Sequence, residues 1–321
     1  MRIPPSRDEL CATVQPRAAQ SFPLAGPNDC RRESGHTKVT AITQLWRGQE
    51  FRVRTTRKVD DPVSVVDRIS AILETFENTG PLTLAEVTQR TGIPRSTAHR
   101  LLEQLVTKRW ITRQEHRYEL GSKSYELGQW ALNQNRLRHG AVPVLNRLAR
   151  STGLTVHLAA LNNGDVLYLD RIPGRTPLAL PSRVGSRLPA HVTAVGKAIL
   201  ANLEPGKMQS VTRSPLRRTT PYSITSPEHL LTELERVRDH GAAMDREESV
   251  LGISCVATSI GPRDHYYGNR AAISVCGPIG DMKMNQLVST VRIAARDIWD
   301  ICVANDLKSA TPTGSAPRRA P

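Results

Sequence analysis

Between residues 60 and 120 the apolar positions follow a helical period and then a strand period. Val65, Ile69, Ile72, Leu73 and Phe76 share one helical face. Ser64 and Asp67 can form a capping box at its start, where two side chains satisfy N–H groups that a first turn leaves open, and Gly80-Pro81 closes it. Thr83 and Glu86 repeat that capping pair ahead of Leu84 and Val87. Thr91-Gly92-Ile93-Pro94 then breaks the helix, because Gly tolerates a left-handed turn and Pro can open a helix but not continue one. Ala98, Leu101, Leu102, Leu105 and Val106 recur at i, i+3, i+4, i+7 and i+8, which buries one stripe and leaves Arg95, Ser96, Thr97, His99 and Arg100 outside. Two β-prone runs, 110–113 and 117–120, flank the polar turn Gln114-Glu115-His116. A helix, a tightly turned helix pair and a hairpin make a winged helix-turn-helix, spanning 61–120, with the second paired helix in the major groove and the wing along the backbone. Double-stranded operator DNA is the expected partner, with the five exposed residues near base edges and Arg113 and Arg117 on phosphates. The competing reading is a helical hairpin with a merely solvated basic face.

Beyond the wing, Tyr125 to Leu132 lie in a helical stretch too small to fold alone, read as a linker helix over 121–139. Two apolar runs, 155–161 and 166–172, surround Asn162-Asn163-Gly164-Asp165, the signature of a β hairpin. Strands are expected at 253–261 and 271–277, and helices at 193–202, 226–240 and 282–304. The last helix carries Leu287, Val288, Val291, Ala295, Ile298 and Cys302 on one stripe. This mixture predicts an α+β domain with an antiparallel sheet over 140–305.

Net charge +14 and a pI near 10.1 fit a polyanion-binding protein, but the bases are spread along the whole chain, so the DNA argument rests on the local helix face. Residues 1–60 and 306–321 lack an apolar period and read as disordered ends. No signal-peptide core or membrane-spanning run is seen, which predicts a cytoplasmic protein. Cys11, Cys30, Cys255, Cys276 and Cys302 are odd in number and never spaced Cys-x-x-Cys, so free thiols are expected rather than a disulfide framework or zinc site. No cofactor or metal is expected.

Residues 62 to 304 resemble an IclR-type bacterial transcriptional regulator. The resemblance is carried in order by IPRSTAHRLLEQL (93–105), SRVGSRLPAHVTAVGKAIL (182–200) and GAAMDREESVLGISCVA (241–257). It implies a winged helix, a linker helix and a GAF-like effector-binding domain, in homodimers that often pair into tetramers. It also implies that Ala194, Val195, Asp245 and Cys255 line the effector site. The chain departs from the family pattern at Val192, where Cys is common, and at Thr258-Ser259, where Ala-Pro is common.

The residues themselves allow such a pocket. Small side chains at 194–196 would let a carboxylate approach N–H groups at the positive end of a helix, and Asp245 could accept from a ligand hydroxyl. A small organic acid is the expected effector. Against this, an acidic cluster is commonly a solvated loop and a strand cysteine commonly core, and His191 reads as a structural residue. A cysteine-dependent hydrolase using Cys255 with His191 and Asp245 is an alternative, weakened because Cys255 sits within a strand rather than at a helix N-terminus. Gly196-Lys197 fails as a phosphate loop, because Ala198 replaces the magnesium-binding hydroxyl. A DNA-binding protein without effector control would leave half the chain unexplained.

Overall fold

The computed structural model describes residues 64–77, 79–204, 215–262 and 270–310, with side chains placed as far as residue 304. The ends expected to be disordered, 1–60 and most of 306–321, lie outside the described residues. The last helix continues to Ala310, into the stretch read as a tail, since no Pro or Gly interrupts it before Pro312.

The N-terminal module comprises α1 (Val65–Glu74), β1 (Leu82–Thr83), α2 (Leu84–Thr91), α3 (Arg95–Thr107), β2 (Ile111–Gln114) and β3 (Arg117–Leu120). Both capping boxes form. The Ser64 hydroxyl accepts from the Asp67 N–H at 3.1 Å while the Asp67 carboxylate accepts from the Ser64 N–H, and Thr83 and Glu86 exchange the same bonds at 3.3 and 2.7 Å. Gly92 closes α2 at φ 70°. A Cβ there would meet nothing within 4 Å, so the demand for Gly is conformational, worth about 1–2 kcal/mol for an L residue. Helix α1 stops at Glu74, short of Gly80-Pro81, because the Thr75 hydroxyl turns back onto the Ile72 carbonyl at 2.6 Å and Arg90 donates to the Thr75 carbonyl. Val65 stays exposed, off the shared face.

The core gathers Ile72, Val87, Ile93, Ala98, Leu101, Leu102, Leu105, Ile111 and Tyr118. Strand β2 runs through Gln114, and the wing turn is confined to Glu115-His116, with Glu115 at φ 52°. The unforeseen β1 pairs with β3, giving the antiparallel order β1-β3-β2. Two residues are too few for a sequence period to reveal.

The stretch read as one linker helix is two, α4 (Ser122–Gln134) and α5 (Arg136–Thr152). Asn135 leaves helical geometry at ψ 93°, and its side chain accepts from the Arg138 N–H at 2.9 Å, capping α5. Helix α4 has no buried residue. Helix α5 buries Leu137, Ala141, Val144, Leu145 and Leu148.

The C-terminal domain is built on a six-stranded antiparallel sheet, β4 (Thr155–Asn162), β5 (Asp165–Ile172), β6 (Arg187–Pro189), β7 (Ala243–Arg246), β8 (Ile253–Ser259) and β9 (Ala271–Pro278), in the order β6-β5-β4-β9-β8-β7. The expected hairpin is β4–β5, turning at Asn163 (φ 53°) and Gly164 (φ 86°), the two left-handed positions of a type I′ turn. One face of the sheet presents Val156, Leu158, Val256, Ile273 and Val275 to α5 and to α8 (Met284–Ala310), which contributes Val291, Ala295, Ile298 and Cys302. Leu287 and Val288 pack at its margin. Strands β6 and β7 are opposite edges of the sheet, so the chain between them must cross the second face. It does so through a 3₁₀ turn at Ala190–Val192, the short helix α6 (Ala194–Leu200) and α7 (Pro227–His240).

The cysteine expectation is corrected here. Cys255 and Cys276 are bonded to each other across β8 and β9. Strand register brings them together, and sequence spacing carries no register.

Candidate functional site

In the N-terminal module, Pro94 pre-sets the start of α3. Arg95, Ser96, His99 and Arg100 are exposed and Thr97 is half-buried, on the side opposite Ala98, Leu101, Leu102 and Leu105. The side chains expected to meet DNA therefore share one solvent face. The two wing arginines differ. Arg113 lies 3.0 Å from the Glu103 carboxylate, donates from Nε to the Glu115 carbonyl at 2.9 Å and covers the Tyr118 ring. Arg117 donates to the Pro81 carbonyl at 2.9 Å and stands 3.9 Å from Glu86, with 58% of its side chain exposed. Arg117 is thus the more accessible cation.

In the C-terminal domain, the register sets Asp245, Cys255, Cys276 and Thr155 in one row across β7, β8, β9 and β4. Ala257, Ser274 and His157 form the next row on the same face. Helix α6 crosses above these rows, buried along its whole length. A cavity of ≈ 20 Å³ lies between, bounded by Asp245, Cys255, Cys276, Ser274 and His157 of these rows, by Tyr168 and Ser182, and by the start of α6. It holds little more than one water. The four residues expected at the effector site, Ala194, Val195, Asp245 and Cys255, all border it. His157, Tyr168, Ser182, Ser274 and Cys276 border it too and were not foreseen.

The start of α6 is built by Thr193, whose hydroxyl accepts from the Gly196 N–H at 3.1 Å. The Ala194 and Val195 N–H groups have no acceptor within the helix, and both residues border the cavity. Gly196 has a different reason from the one expected. A Cβ there would lie 2.1 Å from the Ala190 carbonyl oxygen, so its smallness serves helix-on-turn packing rather than ligand approach. Its neighbour Lys197 is wholly buried, 2.6 Å from Glu248 and 3.1 Å from Glu233. This ion cluster ties α6 to α7 and to the loop after β7, so Lys197 cannot serve a phosphate.

Asp245 lies on β7 rather than in a solvated loop, and is 1% exposed. One of its carboxylate oxygens accepts from the Glu248 N–H at 2.7 Å, and the other from the Ser249 hydroxyl at 2.5 Å. Burial pushes its pKa up to about 7, with Ser249 pulling it down and Glu248 adding to the rise. Burial likewise raises Glu248, offset by Lys197. His157 falls to about 3 through burial, assisted by Arg171, so its imidazole is neutral at physiological pH. Its two nitrogens face the Ser182 hydroxyl at 2.9 Å and the Cys276 sulfur at 3.5 Å. His191 is bonded to the Arg217 carbonyl at 3.0 Å, as a structural residue would be. With Cys255 bonded to Cys276 and His191 engaged there, the two form no nucleophile–base pair with Asp245. Among the described residues no three His, Cys, Asp or Glu side chains are grouped to hold a metal, and no helix is long and apolar enough to cross a membrane.

Residues 129–300 match the family described as bacterial transcriptional regulator IclR C-terminal, and residues 65–115 match the IclR helix-turn-helix domain. The chain is 30% identical to the HTH-type transcriptional regulator KdgR of Escherichia coli (strain K12), over 75% of this chain and 93% of that protein. It is equally identical to the acetate operon repressor of Salmonella typhimurium, over 76% and 92%. Among solved structures, an IclR homologue from Microbacterium hydrocarbonoxydans complexed with 4-hydroxybenzoate superimposes with a TM-score of 0.67 at 28% identity, over 75% of this chain and all of that one.

Proposed function

The chain belongs to the IclR family of bacterial transcriptional regulators, and on that footing we propose that a small organic acid, bound in the cavity under α6, controls its hold on an operator. DNA-binding regulation is the family's activity, and its members are regulators rather than enzymes. The observation that carries the finer reading is the cavity itself: the small residues Ala194 and Val195 border a space that also holds a carboxyl group whose charge is suppressed by burial. An ionised Asp245 would repel a carboxylate, and a protonated one tolerates it. The 4-hydroxybenzoate held by a homologue of the same fold is an acid of the expected class.

On α3, Arg95, Ser96, Thr97, His99 and Arg100 read base edges, and Arg117 with Arg113 holds phosphates. Homodimers, or tetramers formed from them, present paired winged helices to the two halves of a site. The cavity is nearly filled, so a ligand must open it. Binding therefore favours a conformation different from the closed one, and the operator-binding population shifts with it.

The test uses the full chain and DNA selected by it from a random pool. Acetate, benzoate and 4-hydroxybenzoate are titrated against operator binding and melting temperature at pH 6 and pH 8. An acid should shift both, and bind about tenfold tighter at pH 6, the ratio of protonated Asp245 when its pKa is near 7. An effect confined to neutral or cationic ligands, or equal acid affinity at both pH values, overturns the reading.

A further inference from the structure

Cys255 and Cys276 face each other directly on β8 and β9, with Cα atoms 4.2 Å apart and sulfurs bonded. Both line the wall of the cavity. A regulator that binds DNA works beside the chromosome, where cellular thiols keep most cysteines reduced, and a disulfide found there is usually transient, catalytic or redox-sensing. The surroundings suit formation and release of this bond. The Nδ1 atom of His157 stands 3.5 Å from the Cys276 sulfur, and its Nε2 is fixed by the Ser182 hydroxyl at 2.9 Å. A neutral imidazole held this way can accept a hydrogen bond from a Cys276 thiol and fix the direction of its sulfur.

We propose that Cys255 and Cys276 are a reversible dithiol–disulfide pair, oxidised by a peroxide small enough to enter the cavity, and that the bonded form lowers the cavity's affinity for its effector. The second half rests on the effector reading above. In the forward step the Cys276 sulfur attacks one peroxide oxygen while its S–H is oriented by the His157 ring nitrogen. The O–O bond breaks, and the departing hydroxide takes the Cys276 proton to leave as water. The Cys255 thiol then attacks the resulting sulfenic sulfur, the S–O bond breaks, and the hydroxide leaves with the Cys255 proton as a second water. Two thiols lose two electrons and the peroxide gains them. A cellular dithiol reverses the change by thiol–disulfide exchange. Oxidation removes two S–H donors from the cavity wall and joins adjacent strands, so effector binding should weaken about tenfold.

The experiment uses full-length protein reduced with dithiothreitol, desalted, and exposed while folded to equimolar hydrogen peroxide. Free thiols are then alkylated and the chain digested with trypsin. The expected product is a cross-link between peptides 247–263 and 271–283 that dithiothreitol dissolves without denaturant. Peptides that remain fully alkylated after peroxide, or a cross-link that resists dithiothreitol in the folded state, overturn the redox pair. Acetate, benzoate and 4-hydroxybenzoate are then compared by thermal shift on the reduced form, on the oxidised form and on the oxidised form reduced again with dithiothreitol. A ligand shift lost on oxidation and regained on reduction supports the proposal. An equal shift in both redox forms overturns its second half. No shift in either form, with the cross-link still cycling, refutes the effector reading and leaves the redox pair standing.

Discussion

Replacing Asp245 by Asn should change how stability depends on pH, in a direction set by burial. The carboxyl is 1% exposed, and its pKa rises from an ordinary 3.8 to about 7. A group whose folded pKa lies above its unfolded value binds more protons when folded. Its contribution is therefore present in full below pH 3.8 and lost as pH climbs through 7. Between pH 5 and pH 8 the loss amounts to about 2–3 kcal/mol, taking 1.36 kcal/mol for each pH unit from 5 up to the folded pKa near 7, above which it levels off. Asn keeps an oxygen for the Glu248 N–H and carries no charge, so Asp245→Asn should escape this loss. Other carboxylates also titrate, Asp67 and Glu86 among them with lowered pKa values from their capping bonds, and they act equally in both proteins. The assay is urea denaturation of natural and Asp245→Asn chains at pH 5, 6, 7 and 8, read as a difference at each pH. The variant should gain relative to the natural chain as pH rises. A difference that stays flat across the window would show that Asp245 is ionised or solvated throughout, and would refute the reasoning.

Arg100→Ala should weaken operator binding by about 1–3 kcal/mol, the worth of a base contact, with no change in melting temperature; full affinity and specificity in a gel shift would mean the reading face is misassigned. Arg117→Ala should lower affinity for all sequences alike and reduce the salt slope by about one phosphate contact, whereas Arg113→Ala, already held by Glu103, should do less; equal effects would count against the difference in accessibility. Lys197→Ala should cost about 3–5 kcal/mol by stranding the carboxylates of Glu248 and Glu233, measured by urea denaturation; a loss under 1 kcal/mol would show that the cluster is not desolvated.

What could be read from the sequence was local. The helix pair was legible because the Thr83–Glu86 capping box of α2 closes within four residues and the apolar stripe of α3 repeats within one helix. The β4–β5 hairpin was legible because Asn163-Gly164 fixes both turn type and register. Strands β1 and β7 were not: β1 is two residues long and is made a strand by the distant β3, while β7 is four residues long and joins β8 through a charged loop without a hairpin signature. Asp245 was accordingly seen within a run of charges, when its place on β7 is what buries it. His157 left a trace that could have been followed, a polar residue between Val156 and Leu158 in an otherwise apolar run, facing away from both. Tyr168 follows once the hairpin register is known. Ser182 and Cys276 reach the cavity only through a loop and a long-range strand pairing, and no spacing announces them.

The same alternation joins the cavity to the helices behind the sheet. Adjacent residues on a strand face opposite sides, and at Asp170-Arg171 of β5 both sides are engaged. Arg171 donates to the Leu178 carbonyl at 2.8 Å, holding the segment that carries Ser182 over the cavity. Its own N–H donates to the Asp170 carboxylate at 2.8 Å. That carboxylate, 9% exposed, lies 2.9 Å from the Arg138 guanidinium near the start of α5, where Asn135 separates α5 from α4. The segment over the cavity is held by separate bonds, Ser182 to His157, Arg171 to Leu178, and Gly185 and Ser186 to Tyr168, while the strands beneath are held by a continuous ladder and a packed core. On the proposed reading, a ligand too large for ≈ 20 Å³ displaces that segment first, and once Arg171 loses its carbonyl partner, the Asp170 carboxylate paired with Arg138 is the next group to feel the change.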